Sequence, residues 1–453
     1  MNHQAHFDYD YAVIGSGFGG SVAALRLAEK GYRVVVIEQG RRWQADSLPK
    51  RNWQLSRWLW QPLLGLRGFF ALRIFRHVVV LHGNAVGGGS ITYANTLLVP
   101  PDEVWSQGEW AGLADWAQIM PAHYATAQRM LGVTRNRLPG IADERLRQTA
   151  DALGLGDSYH LTQVGVYFGA EGEAPGTPHP DPYFDGEGPA RASCIGCGGC
   201  MIGCRHGAKN TLDMNYLFLA EKRGAELRAE TRVESLRPLD DADGARGYQL
   251  HTQSRAYGAQ TLRVRGVVLA ASSLGTQELL LRMKDQGTLP GLSEALGKRV
   301  RTNAESLIGV RFPGSAHDLS KGIAIGSGVY LDRHTHIEAT RYPAGSDAMG
   351  LLATLMPATA RSRPGWLAGL IKLGLTQPKR LWALLKPGGW ARESMILLCM
   401  QTLDGHLDMR LARRWWWPFG KRLVSHGAPI PAFIAQANHF AHALAKRFGG
   451  VAM

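Results

Sequence analysis

A glycine motif near the start of the chain has the spacing of a dinucleotide-binding turn. Gly15, Gly17 and Gly20 form G-x-G-x-x-G, and Glu38 follows at the end of the next apolar run. The first glycine permits a tight turn, the second lets a pyrophosphate approach the backbone, and the third lets a helix pack against a strand. The helix N-terminus then faces the phosphates, and the acid can accept a hydrogen bond from a ribose hydroxyl.

The elements around this motif occur in the order that such a site requires. Tyr11 to Ile14 is an apolar run with β-branched residues, which predicts a buried strand. Ser21 to Lys30 has apolar residues at helical spacing and ends before Gly31, and Arg33 to Ile37 predicts a second strand. An isolated G-x-G-x-x-G is a weak indication. A Rossmann unit is strongly indicated when a strand, the glycines, a helix, a second strand and an acid follow one another within about 30 residues.

A second glycine-rich segment offers another close contact for a cofactor. Gly87 to Gly89 follow the predicted strand Val78 to Leu81 and precede Ser90. Successive glycines present backbone N–H groups with no side chain in the way, and the serine adds a hydroxyl donor. Further along, short predicted strands over 226–265 lead to a buried strand and a glycine turn. A β-meander of this kind is typical of Rossmann folds that bind FAD.

Four of the five cysteines lie in one short loop. Cys194, Cys197, Cys200 and Cys204 are separated partly by glycines, so the loop can wrap around a small object. The spacing is that of an iron–sulfur loop, although Arg205 stands where the ferredoxin pattern has proline and no second run exists. Zinc in a tetrahedral site and a metal-free structural loop are the alternatives. The sequence leaves all three hypotheses open, with the four cysteines as candidate metal ligands.

These motifs together resemble a known family. The first fingerprint, V-G-G-G-S, the cysteine run followed by G-A-K-x-T-L, and LAASSLGT are similar to the glucose–methanol–choline (GMC) family of FAD oxidoreductases. The cysteine run resembles the branch that includes cholesterol oxidase-like proteins and long-chain alcohol oxidases. The resemblance implies an α/β fold. An FAD-binding Rossmann domain, with a parallel sheet and a β-meander, would be interleaved with an α+β substrate domain on an antiparallel sheet.

The resemblance also implies domain bounds and cofactor contacts. The FAD-binding domain is expected to comprise residues 1–50, 78–120 and 190–310, and the substrate or cap domain residues 51–77, 121–189 and 311–453. The residues expected to bind FAD are Gly15, Gly17, Phe18, Gly19, Gly20, Glu38, Gly87, Gly88, Gly89, Ser90, Val233 and Ala271.

One glutamate is expected to face the substrate. Glu338 lies in a segment that alternates apolar and polar residues, and the resemblance places it where cholesterol oxidase-like members carry a substrate-facing glutamate. A carboxyl in an apolar cavity has a raised pKa and can both take and give a proton. With a Δ5-sterol as substrate, it would move a proton between ring carbons and be the catalytic residue. The alternative is an exposed strand glutamate paired with Arg341.

The implied activity is oxidation of the hydroxyl of a sterol, or of another bulky apolar alcohol, with hydride passing to FAD. A dehydrogenase that passes electrons from long-chain alcohols to an acceptor other than oxygen is a second hypothesis, and an iron–sulfur cluster would favour it. In the family, the base that removes the hydroxyl proton belongs to an H-x-x-G-G segment, which does not occur before Met453. We therefore expect a fragment, a truncated lipid-binding remnant, or a protein completed by another chain.

The composition fits a folded, basic protein. Of the 453 residues, 45% are hydrophobic and 19% charged, and 51 Lys and Arg against 37 Asp and Glu give a net charge of +14. No basic stripe with stacking aromatics predicts a nucleic-acid partner. Neither a signal peptide nor a membrane-spanning run is evident, so a cytoplasmic location is expected.

Three segments mix basic residues with tryptophan and other large apolar residues, which suits peripheral contact with an anionic membrane surface. They are Arg57 to Phe75, Arg363 to Trp390 and Arg413 to Trp417. Packing on the core or over the substrate cavity is the alternative, and it is favoured for the first segment because Pro62, Gly65 and other breakers interrupt any long helix.

Overall fold

The computed structural model describes residues 6–239, 243–356, 363–386, 388–403, 405–414, 417–428 and 433–453. The helices within these residues are α1 Phe18–Glu29, α2 Leu55–Trp58, α3 Gly89–Thr92, α4 Trp116–Met130, α5 Ile141–Ala152, α6 Tyr216–Lys222, α7 Ser272–Asp285, α8 Arg363–Thr376, α9 Pro378–Leu385, α10 Trp390–Glu393 and α11 Ala435–Phe448.

The strands are numbered in the same way. They are β1 Tyr9–Ile14, β2 Val34–Ile37, β3 Leu59–Gln61, β4 Leu66–Arg67, β5 Phe70–Ile74, β6 Val79–Gly83, β7 Thr134–Arg135, β8 His160–Leu161, β9 Gln163–Val164, β10 Pro178–His179, β11 Arg191–Ala192, β12 Glu226–Arg228, β13 Thr231–Pro238, β14 Tyr248–Ser254, β15 Gly258–Leu269, β16 Val300–Arg301, β17 Glu305–Arg311, β18 Ile325–Asp332, β19 Thr335–Thr340, β20 Ser394–Gln401, β21 His406–Arg414, β22 Trp417–His426 and β23 Val451–Ala452.

The first large sheet is built around the predicted βαβ unit, in the order β12-β2-β1-β15-β14-β13. Strands β12, β2, β1 and β15 run parallel, and β13, β14 and β15 form an antiparallel meander. The long strand β15 serves both parts, because its first half pairs with β14 and its second half with β1. The predicted Rossmann sheet with a β-meander is confirmed.

Helices cover both faces of this sheet, which explains why its central strands are apolar throughout. Val34 and Val36 pack with α1 and α6, whereas Val35 and Ile37 face the opposite way and pack with α7. Every residue of β2 is buried. Parallel strands buried on both faces are expected to have continuous apolar runs of this kind.

The second large sheet is antiparallel, in the order β23-β17-β20-β19-β18-β8. One face packs against α5 and α11 through residues such as Ile337, Leu397 and Cys399. Because side chains alternate along a strand, Glu338 on β19 points away from this core. The predicted antiparallel sheet is confirmed. The division into two discontinuous domains stays a prediction, and β17 crosses its expected boundary at residue 310.

The first basic aromatic segment forms much of a small sheet, in the order β4-β3-β5-β6. The ring of Trp58 stacks on Phe70 with centroids 4.9 Å apart, and both side chains are buried. The turn between β3 and β4 leaves Leu63 and Leu64 more than 70% exposed, at 73% and 74%. The segment therefore packs on the core, as favoured, and presents an apolar tip.

Two helices have bounds that a single residue bears on. Helix α4 continues through Pro121, although a proline in a helix interior removes its own N–H donor and its ring crowds the carbonyl four residues earlier, at a cost of about 3 kcal/mol. Helix α6 begins at Tyr216, because the side chain of Asn215 accepts a hydrogen bond from Tyr216 N at 2.6 Å. Within the described residues, every helix is too short or too polar to cross a membrane.

Candidate active site

A large cavity is lined by residues of both main sheets, and its volume is about 1780 Å³. One end is bordered by the glycine turn after β1 and by the triple-glycine loop, and the other end by β17, β19 and β20. Ordinary small-molecule sites occupy about 300–1,000 Å³. The cavity therefore has room for a dinucleotide cofactor together with a bulky substrate.

The first glycine turn packs too closely to accept side chains at two positions. Gly15 has a φ of +100°, and a Cβ there would overlap Ala270 O. A Cβ at Gly20 would overlap Gly15 O, so the helix α1 lies directly against the turn. By contrast, Gly17 and Gly19 line the cavity, and a Cβ at Gly19 would meet no atom within 4 Å. The close packing at Gly15 and Gly20 is that of a tight turn with a helix packed against it, and the contact of Gly17 with a pyrophosphate stays a prediction.

The triple-glycine loop lies against this turn. Gly88 has a φ of +52°, and a Cβ there would lie 2.6 Å from the Cα of Gly17. Ser16 joins the two loops, because its Oγ accepts a hydrogen bond from Gly87 N at 3.1 Å and donates to Glu38 Oε2 at 2.8 Å. The two glycine loops therefore form one continuous wall with bare backbone.

Ser90 supports this wall from behind. Its Oγ donates to Gly87 O at 2.7 Å and accepts from Leu212 N at 3.0 Å, and the residue is fully buried. Neither Ser90, Gly87 nor Gly20 lines the cavity. The expected donor at Ser90 therefore holds the loop in place, because its hydrogen-bonding capacity is already used by the protein.

Glu38 ends β2 and lines the cavity. It accepts hydrogen bonds from Ser16 N at 3.0 Å and from Gly40 N at 2.8 Å. Burial raises the pKa of its carboxyl, and these backbone donors oppose the shift. Oε2 already accepts two hydrogen bonds from Ser16, whereas Oε1 accepts one from Gly40 N and can accept another, which suits a ribose hydroxyl.

Two side chains beside Glu38 were not predicted. Asn84 lines the cavity, and its buried Nδ2 has no hydrogen-bond partner in the described part of the chain. Gln39 Nε2 donates to Asn84 Oδ1 at 2.5 Å, which fixes the amide orientation. An orphaned buried donor, a buried acid and glycines that face open space fit the ribose and pyrophosphate of FAD. Glutamine and asparagine are too common in loops for the sequence to have marked them.

The remaining predicted contacts also lie in the cavity wall: Phe18, Gly89, Val233 and Ala271. The ring of Phe18 meets Tyr93 edge-on, with centroids 5.9 Å apart. Val233 is on β13 of the meander, and Ala271 directly precedes α7. The meander and the last glycine turn thus complete the same cavity that the first βαβ unit begins.

Glu338 lies at the other end of the cavity and is 1% exposed. Its Oε1 has no hydrogen-bond partner among the described residues. Burial, with a smaller effect from the charge of Glu305, raises its pKa to about 8. The alternative partner Arg341 instead forms a buried ion pair with Asp143 at 2.8 Å and donates to Lys321 O. The predicted pairing with Arg341 is therefore excluded.

The wall around Glu338 is mostly apolar, although Asn303, Glu305 and Thr340 also line it. The residues that line this end and belong to β17, β20 and the neighbouring loops include Leu307, Ile308, Leu398, Met400, Tyr342 and Trp390. An unpaired carboxyl in such a wall is costly to bury as an ion, so it marks a functional position more often than a structural one.

The cysteine loop lies behind the cofactor wall. Its four thiols are free, and burial raises the pKa of Cys200 to about 12. The buried Lys209 donates from Nζ to Cys200 O at 2.9 Å and to Ile91 O at 3.0 Å, and so ties the loop to α3. Among the residues that the structure describes, no three His, Cys, Asp or Glu side chains are placed to share a metal ion. The iron–sulfur and zinc hypotheses find no support in this geometry.

The chain was compared with known proteins. A family model described as an NAD(P)-binding Rossmann-like domain matches residues 13–48. A cholesterol oxidase of Acinetobacter baumannii is 54% identical over 452 residues, which cover 98% of this chain and 81% of the relative. A cholesterol oxidase of Mycobacterium tuberculosis is 42% identical over 462 residues, which cover 98% of this chain and 78% of the relative. The chain belongs to the cholesterol oxidase-like branch of the GMC oxidoreductases.

Comparison with solved structures supports the same fold. The structure of a fungal aryl-alcohol oxidase superposes with a TM-score of 0.55 at 13% identity, over 99% of this chain and 85% of that one. At this identity the likeness shows a shared fold alone. Together with its family membership, the cavity makes this GMC protein an FAD-dependent oxidoreductase that acts on alcohols.

Proposed function

We propose that this GMC oxidoreductase oxidises the hydroxyl of a sterol and then shifts the sterol double bond with Glu338. The position of Glu338 carries the proposal, because one unpaired carboxyl stands in an apolar wall of the cavity that the glycine loops also line. Oxidation of a simple long-chain alcohol involves no proton transfer between carbon atoms, so such a carboxyl would have no role in it. A Δ5-3-ketone, by contrast, needs a group that removes one proton and returns another. Two relatives named cholesterol oxidase support the same substrate class.

FAD, when bound, would supply the hydride acceptor for the carbon that carries the hydroxyl, and the hydroxyl proton would leave to solvent. The glycine loops, with Glu38 and Asn84, hold its ribose and pyrophosphate, and the apolar wall excludes water from the sterol rings. Glu338 then takes a proton from C4 of the Δ5-ketone and gives a proton to C6. The C4–H bond breaks, a C6–H bond forms, and the double bond moves from C5–C6 to C4–C5. No electron is gained or lost in this step.

The test uses the FAD-loaded chain with cholesterol and, separately, with cholest-5-en-3-one. Ketone and peroxide report oxidation, and ultraviolet absorbance of the conjugated ketone reports isomerisation. Glu338→Gln is expected to keep oxidation and to lose isomerisation by about 10²- to 10⁴-fold, as for loss of a general base. Glu144→Gln on α5 serves as the matched control, because this carboxyl is half-exposed, pairs with Arg147 and does not line the cavity.

The outcomes separate the hypotheses. A chain that takes up no FAD would overturn the cofactor assignment. A flavin that is reduced by linear long-chain alcohols but not by sterols would favour the second substrate class. Reduction of an added quinone without peroxide formation would identify a dehydrogenase, whereas peroxide in proportion to ketone would identify oxygen as the acceptor.

We infer that the cavity receives its substrate from an anionic membrane surface that contacts α8 and α9. Leu375 and Trp382 are 78% and 74% exposed, and Lys372 and Lys379 lie on the same two helices. The turn that ends at Leu352 contacts α9, and Leu352 itself lines the cavity. Apolar side chains flanked by lysines suit the interface of a bilayer. Residues 415–416 of the third basic segment lie outside the described chain.

A further inference from the structure

A threonine hydroxyl without a partner lies beside Glu338 on the cavity side of the second sheet. Thr340 follows Glu338 by two residues on β19, so the two side chains share one face, while the intervening Ala339 packs in the core on the other. Thr340 lines the cavity and is 3% exposed. Its Oγ1 has no hydrogen-bond partner in the part of the chain that the structure describes. The function proposed above gives this hydroxyl no role.

The side chains on the neighbouring strands explain why this hydroxyl is left alone. Thr340 is paired with Ile325 on β18 and with Ile396 on β20, and both isoleucines also line the cavity. A hydroxyl offers one donor and two acceptor sites, and the large majority of buried side-chain polar atoms have a partner. An oxygen atom of a ligand bound in the cavity would supply the partner that the protein does not.

The place of Thr340 along the chain indicates which ligand atom it meets. Two residues further on, the buried Tyr342 belongs to the same apolar cluster as Ala85 and Ile91, which flank the triple-glycine loop. The chain therefore runs from Glu338 past Thr340 toward the cofactor wall. Residues on one face of a strand are about 6.6–6.8 Å apart between successive Cα atoms, so the carboxyl and the hydroxyl can contact neighbouring atoms of one sterol ring.

We propose that the Thr340 hydroxyl binds the C3 oxygen of the sterol and donates a hydrogen bond to it while Glu338 moves the proton. This inference rests on the function proposed above. In that function C3 loses the hydride toward the cofactor wall, and the adjacent C4 loses a proton to Glu338. A substrate that satisfies both has its C3 oxygen on the cofactor side of Glu338, which is the side on which Thr340 lies.

The hydrogen bond has its largest effect on the dienolate. When the Glu338 carboxylate takes the C4 proton, the electron pair of the C4–H bond stays with the substrate, and the negative charge moves to the C3 oxygen. Delivery of the proton to C6 returns the charge to Glu338, and Thr340 keeps its own proton throughout. A donor binds a charged oxygen more strongly than a neutral ketone, above all where water is excluded. Thr340 therefore speeds isomerisation more than it strengthens ketone binding.

The first measurement is the isomerisation of cholest-5-en-3-one by the FAD-loaded chain. Thr340→Val removes the hydroxyl and should lower kcat by about 10²-fold while it changes KM by less than about threefold. Thr340→Ser keeps a hydroxyl and should recover most of the rate. Thr335→Val is the matched control, because Thr335 is a buried threonine of the same strand that does not line the cavity, and its Oγ1 accepts from Gln401 Nε2 at 3.1 Å. Its kcat should stay close to the native value.

The second measurement does not depend on turnover. Cholest-4-en-3-one labelled with carbon-13 at C3 is bound to an excess of the FAD-loaded chain, and isotope-edited infrared spectra record its carbonyl stretch. A hydrogen bond to the ketone oxygen lowers this frequency. We expect a low frequency with the native chain, Thr340→Ser and Thr335→Val, and a higher one with Thr340→Val. The frequency belongs to bound steroid alone, so a smaller folded fraction leaves it unchanged.

The outcomes separate this contact from the proposed function. The same carbonyl frequency in Thr340→Val as in the native chain would overturn the contact, as would an unchanged kcat. A native chain that binds the steroid with a low carbonyl frequency but does not isomerise the Δ5-ketone would overturn the proposed function, while the contact with Thr340 would stand. A native chain that binds neither ketone would overturn both.

Discussion

At the scale of single residues, Glu338 couples function to stability. Its pKa rises from 4.5 to about 8 on folding, so the folded chain keeps a proton that the unfolded chain releases. The contribution of Glu338 to the free energy of unfolding is therefore most favourable below pH 4.5. Between pH 4.5 and pH 8 this contribution falls by up to about 1.4 kcal/mol per pH unit. Glu338→Gln removes this loss. We expect its melting temperature to exceed that of the native chain at pH 7.5 by more than it does at pH 4.5. An equal difference at both pH values would contradict the raised pKa.

Glu305 provides a second prediction at the same scale. It lines the cavity, accepts a hydrogen bond from Asn303 Nδ2, and its charge helps to raise the pKa of Glu338. Glu305→Gln removes that charge and should lower the pKa of Glu338. The rate of isomerisation, which needs the carboxylate, should therefore reach its plateau at lower pH. Rates measured from pH 5 to 9 test this, and an unchanged or alkaline-shifted profile would refute the coupling.

The surroundings of Glu338 show which side-chain contacts could not be predicted from the sequence. Arg341 is three positions away in sequence, and the strand pattern alone made it a reasonable partner. In the fold it is fully buried and paired with Asp143 on α5, a contact between distant segments. The position of Glu338 was predictable only through resemblance to a family. The ring stack of His160 on His336 carries no local signal either, because the two residues meet only when β8 joins the second sheet.

At the scale of elements, α8 and α9 are expected to carry the membrane contact. Burial of a large apolar side chain contributes about 1.5–3 kcal/mol, so Leu375→Asp or Trp382→Asp should each weaken binding to phosphatidylserine vesicles by about tenfold or more. Leu113→Asp, at a residue that is 74% exposed before α4, is the control. Co-sedimentation at low and high salt is the measurement. Binding that both variants leave unchanged would assign these helices to another partner.

The bounds of elements defined by local spacing were predicted from the residues, whereas the individual pairings between distant strands were not. The unit β1–α1–β2 follows from glycines and apolar runs within one short segment, and the structure matches it closely. The dual pairing of β15 and the recruitment of β8 depend on partners far along the chain. Pro121 lies inside α4 even though an interior proline costs a helix about 3 kcal/mol, so a proline alone does not define where a helix ends.

At the scale of the whole molecule, the shared cavity makes cofactor binding and substrate turnover depend on each other. The cofactor wall comes from the first sheet and the triple-glycine loop, while the apolar wall comes from the second sheet. The cysteine loop and Lys209 support the junction from behind. Neither sheet alone encloses the reacting atoms, so a defect at the contact between the glycine loops should weaken FAD binding first and sterol turnover as a consequence.

Gly88 tests this dependence, because a Cβ there would lie 2.6 Å from the Cα of Gly17 and its φ of +52° disfavours a side chain. Gly88→Ala should push the loops apart and raise the Kd for FAD by about a hundredfold or more. Because a ligand that binds only the folded state stabilises it in proportion to its affinity, the rise in Tm on adding FAD should shrink as well. Gly154→Ala is the matched control, since its φ of +72° is also positive but a Cβ there would meet no atom within 4 Å, and Gly154 does not line the cavity. Flavin fluorescence titration and thermal melts measure both effects. If the two variants bind FAD equally well, the close contact between the loops is not what shapes the cofactor wall.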